Sequence, residues 1–198
     1  MPMPIALLLR PRHAWRHAAT RLPSSVAAAL VYPMLFATLP AAAWYYGTTQ
    51  VGWRIAGGDA IRLTAASALS IAVLFYLAMV AAVIGVGGMI HWMARTYGAS
   101  STVGQGIAIA GLTATPLFLT GALGVYPLLA LDLIVGLVAL CHAVYLLYLG
   151  IPIAMNIPEE RGFLFASAIA AVCLVAFIAI MGATVLLWDM GAAPVFVD

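Results

Sequence analysis

Asp132 is the one carboxylate inside the long apolar runs of this chain. An ionisable group at membrane depth is a functional hypothesis by default, so a role in handling a proton, an ion or a substrate is one reading. A structural pair or cap is the other. Asp132 closely follows Pro127, which puts it in the first turns of a helix, where the macrodipole favours negative charge. Arg62, at the start of another apolar run, is the basic partner on offer. His142 lies further along the same run as Asp132. A neutral imidazole there is satisfied by a facing carbonyl or by the hydroxyl of Thr113 or Thr115.

Other chemistries fail on spacing. Gly98-Ala99-Ser100 superficially resembles the Gly-x-Ser of intramembrane serine proteases, with His91 and His142 as candidate bases. Gly98, however, opens a polar stretch, "YGASSTVGQG", and seryl chemistry needs a base within hydrogen-bond reach in a shielded pocket. No His-Glu-x-x-His, paired Cys-x-x-Cys or acidic ligand cluster offers a metal site, and His13 and His17 could hold a metal only adventitiously. "GVGG" at Gly85–Gly88 lacks the preceding strand and the spacing of a phosphate loop. Cys141 and Cys173, each inside an apolar run, read as inert buried thiols. No cofactor, nucleic-acid partner or catalytic set is expected.

The elements that must carry these residues follow from composition. Of 198 residues, 66% are hydrophobic and 7% charged, against about 25% charged in a water-soluble domain. The chain cannot cover itself with polar surface, so its solvent is largely lipid. Five segments approach the roughly 20 apolar residues that cross a bilayer: Ser24–Trp44, Thr64–His91, Gly106–Ala122, Leu128–Gly150 and Phe163–Trp188. The third is short and borrows residues from its flanks. The fold class is all-α, an integral membrane bundle of five transmembrane helices (residues 24–190). An amphipathic lead-in (1–23) precedes it and a short exterior tail (191–198) follows.

Arginine supplies all the basic charge and sets the orientation. Arg10, Arg12, Arg16, Arg21, Arg95 and Arg161 fall on one side, Arg54 and Arg62 on the other, which places the amino terminus in the cytoplasm and the carboxyl terminus outside. Trp44, Tyr45, Tyr46 and Trp188 mark outer ends, and Trp92 and Tyr97 an inner end. "PRHAWRHAATRLP" presents a basic helical face with Trp15 and Leu22 at the apolar boundary, which suits a helix lying on an anionic inner leaflet.

Glycine and proline punctuate the spans. Gly85, Gly87, Gly88, Gly104, Gly106, Gly111, Gly121 and Gly124, with the pairs Ala78/Ala82 and Ala166/Ala170, allow helix backbones to approach closely. Pro33 and Pro116 are expected to kink the first and third spans, either as simple packing or to frame a cavity. In the elbow "YLLYLGIPIAMNIPEERG", Tyr145 and Tyr148 precede Gly150, which is expected to end the fourth helix. Pro152 and Pro158 then prevent its resumption, and Glu159 and Glu160 sit at the fifth helix's N-terminus, where the dipole favours them.

Four features resemble the Yip-domain family, the membrane proteins named as Ypt/Rab-interacting proteins in eukaryotes, in its bacterial branch. They are "RPRHAWRHAATRLPSS" with its Pro-x-x-x-Trp lead-in, "ATPLFLTG", the Tyr-rich elbow above, and the five-span hydropathy. The resemblance implies five helices, a cytoplasmic amino terminus and a short exterior tail. It implies no catalytic residues. The eukaryotic branch is linked to small GTPases, but the long polar N-terminal region that could recruit them is lacking here, so no GTPase partner is expected. The first expectation is a non-enzymatic inner-membrane protein that binds lipid or membrane-protein partners, itself included. The alternative is a small permease or channel using Pro33, Pro116 and Asp132.

Overall fold

In the computed structural model, the described residues are 2–53, 60–187, 189 and 194–197, with the side chains of 180, 183, 184 and 187 excepted. Arg54 and Trp188 lie outside them. The chain runs α1 (Met3–Leu9), α2 (Pro11–Ala19), α3 (Val26–Tyr46), α4 (Ala65–Ala94), α5 (Val103–Thr113), α6 (Thr115–Thr120), α7 (Leu129–Met155) and α8 (Glu159–Leu187). Only isolated bridges, Trp53 to Ile61 and Leu63 to Phe196, accompany the helices among the described residues. The architecture is an all-α bundle. The spans containing α3, α4, α7 and α8 are each long and apolar enough to cross a membrane. The segment Val103–Thr113 followed by Thr115–Val125 crosses as a fifth if its two bent halves form one span.

Contacts sort the loops into two ends. At one end, Thr102 Oγ1 donates to the carbonyl of Ser24 at 3.2 Å, and Tyr97 stacks on Phe165 with centroids 4.8 Å apart. At the other, the Leu63 amide donates to the Thr48 carbonyl at 3.0 Å and the Thr64 amide to the Val195 carbonyl at 3.1 Å. This alternation is the one that five crossings require.

Local chemistry starts and stops the helices. Thr102 and Gln105 form a reciprocal capping box that opens α5, so the short third span does borrow residues from the polar loop before it. Its two halves bend by 46° at Ala114. Pro116 has no amide hydrogen for the Leu112 carbonyl four residues back. The Thr115 hydroxyl donates to that carbonyl at 2.7 Å and in turn receives the Tyr32 hydroxyl at 2.8 Å. A side chain thus takes over a bond that proline forfeits, which is how such breaks survive in lipid.

α3 runs as one helix through Pro33 and Pro40. Pro33 is buried with its ring beside Gly111, and Pro40 meets Gly121, so both prolines sit in helix contacts. Two expectations change. α7 continues past Gly150 and Pro152 to Met155, and Asn156, in the left-handed conformation at φ 50°, ends it. The amides of Asn156 and Ile157 both reach the Pro152 carbonyl, an arrangement that satisfies a terminal acceptor. Gly150 is instead the point at which Trp15 presses on α7. Finally, Cys141 is exposed on α7 rather than buried in the bundle.

The lead-in is two helices, split at Pro11, which occupies the first position of α2. Leu7 and Trp15 are fully buried. Trp15 meets α7 at Gly150, while the Leu7 carbonyl lies 3.4 Å from His142 Nε2. Those two positions on α7 are separated by about 12 Å of helix rise. The amino-terminal segment therefore dips into the bundle instead of lying wholly on its surface.

Candidate functional site: a groove at the elbow

Helices α2, α7 and α8 enclose a groove of about 870 Å³. α7 contributes Tyr145, Tyr148, Leu149, Pro152 and Ile153 over its last three turns. α2 places Arg12 and Arg16 on one side, four residues apart and so on one helical face. Glu159 and Glu160, with Phe163 and Leu164 below them, come from the opening turns of α8. All four charged residues are exposed.

Each wall is held from behind. Trp15, between the two arginines in sequence, fixes α2 to α7 through the missing side chain at Gly150. Gly162 faces the ring of Pro152, which brings the start of α8 close to the end of α7. The Tyr148 hydroxyl lies 2.9 Å from Ser167 Oγ, which donates to the Phe163 carbonyl, and the Tyr148 and Phe163 rings sit 5.2 Å apart. Tyr145 is 48% exposed and Phe163 and Leu164 are each 58% exposed, so the apolar floor opens sideways. From Ile153 to Tyr145 the floor descends about 12 Å, most of one leaflet of a 30 Å hydrocarbon core.

The residues singled out in sequence divide cleanly. Tyr145, Tyr148, Pro152, Glu159 and Glu160 line this groove, and Gly150 packs behind it. Pro33 belongs to the α3–α5 packing and Pro116 to the break between α5 and α6, both elsewhere. Arg62 and Asp132 are not joined: Arg62 is exposed ahead of α4, and Asp132 Oδ2 is buried in the first turn of α7 with no hydrogen-bond partner among the described residues. His142 is satisfied by a carbonyl, that of Leu7, rather than by Thr113 or Thr115. His91 Nδ1 meets the Ser101 carbonyl at 2.7 Å, and no hydrogen bond joins a histidine to Ser100 among the described residues, so the Gly-x-Ser reading has no geometry behind it. No group of three metal-ligating side chains occurs among the described residues. Arg12 and Arg16 are the groove residues that sequence reasoning treated only as surface charge. Their spacing by four, flanking a tryptophan, was the available signal.

The model of the Yip1 domain matches residues 5–180. The chain is 41% identical over 158 residues to "Inner membrane protein YohC" of Escherichia coli strain K12, covering 80% of this chain and 81% of that one. The protein of the same name from Escherichia coli O6:H1 matches equally. No solved structure gives a significant match. The relatives' name and the apolar helices together support residence in a bacterial inner membrane. With a domain match over most of its length, the chain belongs to the Yip1 domain family of multi-pass membrane proteins.

Proposed function

We propose that this is a non-enzymatic inner-membrane protein that binds a membrane phospholipid in the α2–α7–α8 groove, with its amino terminus cytoplasmic and its carboxyl terminus exterior. One observation carries the reading: a groove with charged groups at its rim and an apolar floor about 12 Å deep, open to the side. The arginine asymmetry supports the orientation, six against two in sequence. Arginine at the rim suits a phosphodiester, which it recognises with paired N–H donors. The chain purified in mild detergent is expected to retain phospholipid, and the double variant Arg12→Ala/Arg16→Ala to lose most of it. Wild-type protein that stays folded and lipid-free in several detergents would remove the reading.

A small permease or channel is the second reading, and the buried, unpartnered Asp132 Oδ2 beside a fold with a bent span is what favours it. It predicts solute or ion flux in proteoliposomes that Asp132→Asn abolishes. Flux unchanged in that variant would remove Asp132 from any transport path.

A further inference from the structure

The groove carries two opposite charge pairs rather than one basic patch. We infer that it selects a zwitterionic phospholipid with a primary amine, the phosphodiester held by Arg12 and Arg16 and the ammonium by Glu159 and Glu160. This rests on the lipid-binding reading above and adds the headgroup to it.

An anionic lipid would be served by the arginines alone, and the two glutamates at the same rim would repel it. Their position at the start of α8 is favourable in itself, through the helix dipole. That accounts for acidic residues there but not for their sharing a groove with the two exposed arginines of α2. A zwitterion uses both pairs. A primary ammonium offers three N–H donors to carboxylate acceptors, while a quaternary ammonium offers none. Below the rim, Leu149, Ile153 and Leu164 give acyl chains an apolar path that continues into the bilayer.

The test uses the full chain in mild detergent. Dioleoyl-phosphatidylethanolamine, -phosphatidylcholine and -phosphatidylglycerol, identical in their tails, are titrated separately and bound lipid is read by native mass spectrometry. The ethanolamine lipid is expected to bind about tenfold more tightly than either of the others, the scale of a charge-assisted hydrogen bond. Glu159→Gln/Glu160→Gln should erase that preference and raise the affinity for phosphatidylglycerol. Arg12→Gln/Arg16→Gln should weaken all three. The substituted side chains are exposed, and thermal unfolding of each variant checks that the fold is intact. Equal binding of the three lipids, a preference for phosphatidylglycerol or phosphatidylcholine, or an ethanolamine preference that survives in the Gln/Gln variant overturns the headgroup assignment while leaving lipid binding standing. Failure to bind any of them overturns both.

Discussion

Trp15→Ala is expected to lower the stability of the detergent-solubilised protein by about 3–5 kcal/mol, the range for removing a large buried aromatic. Trp15 is fully buried, and its ring fills the space that a side chain at position 150 would take. No other contact joins α2 to α7 through so large a group, so its loss should also free the segment that runs on to Leu7. Trp15→Phe should cost much less. The indole N–H has no hydrogen-bond partner among the described residues, so its removal strands no acceptor. Thermal unfolding gives the stability. Maleimide labelling of Leu7→Cys, in a chain lacking Cys141 and Cys173, reports whether the segment has left the bundle. Labelling should be slow with Trp15 present and fast in Trp15→Ala. An alanine variant that unfolds at the wild-type temperature and stays unlabelled would show that the amino-terminal helices are held by something else.

The same tryptophan shows where the sequence stops being informative. Its amphipathic surroundings establish that one face of the lead-in is apolar. Whether that face meets lipid or protein is not written there, because lipid tails and a helix interior are equally apolar. Gly150 is ambiguous for a related reason. Lack of a side chain serves both the end of a helix and a close approach, and only the position of Trp15 decides between them. The signal for the true end was Asn156, the other residue that tolerates the left-handed conformation.

The four long spans were legible because each is a nearly unbroken apolar run, and hydropathy needs no knowledge of neighbours. Counting arginines supplied an expected orientation for them. Pairings between distant residues were not legible. Arg62 and Asp132 read as partners from their positions along the chain, yet they remain apart, whereas the groove gathers positions near 12, 148 and 160, brought together by the turn between α7 and α8 and by the folding back of α2. The acidic pair of the elbow was expected at the start of the last helix because the dipole favours it, and it lies in the first turn of α8. Neither fact reveals what stands opposite it.

The second large effect concerns α4 and α5, which cross backbone to backbone. A methyl group added at Gly106 would meet the Gly87 carbonyl, and one added at Gly87 would come within 2.6 Å of the Ile107 amide nitrogen. Main chain cannot rotate aside as a side chain can, so Gly106→Ala and Gly87→Ala should each force the helices apart and destabilise by about 1–3 kcal/mol. Gly85 and Gly88 lie on the same helix among the same run of small residues, but a methyl group there meets nothing within 4 Å. Alanine is the better helix former by up to about 1 kcal/mol, so Gly85→Ala and Gly88→Ala should leave stability unchanged or raise it. Opposite signs from glycines two residues apart, or fewer, cannot come from hydropathy, which treats them alike. They follow only if this face of α4 is the one packed on α5. Five thermal unfolding curves in one detergent, the four variants and the unsubstituted chain, decide the matter. Equal effects at positions 85, 87 and 88 would mean that the helices cross elsewhere, since close approach is what holds apolar helices together where lipid provides no hydrophobic force between them.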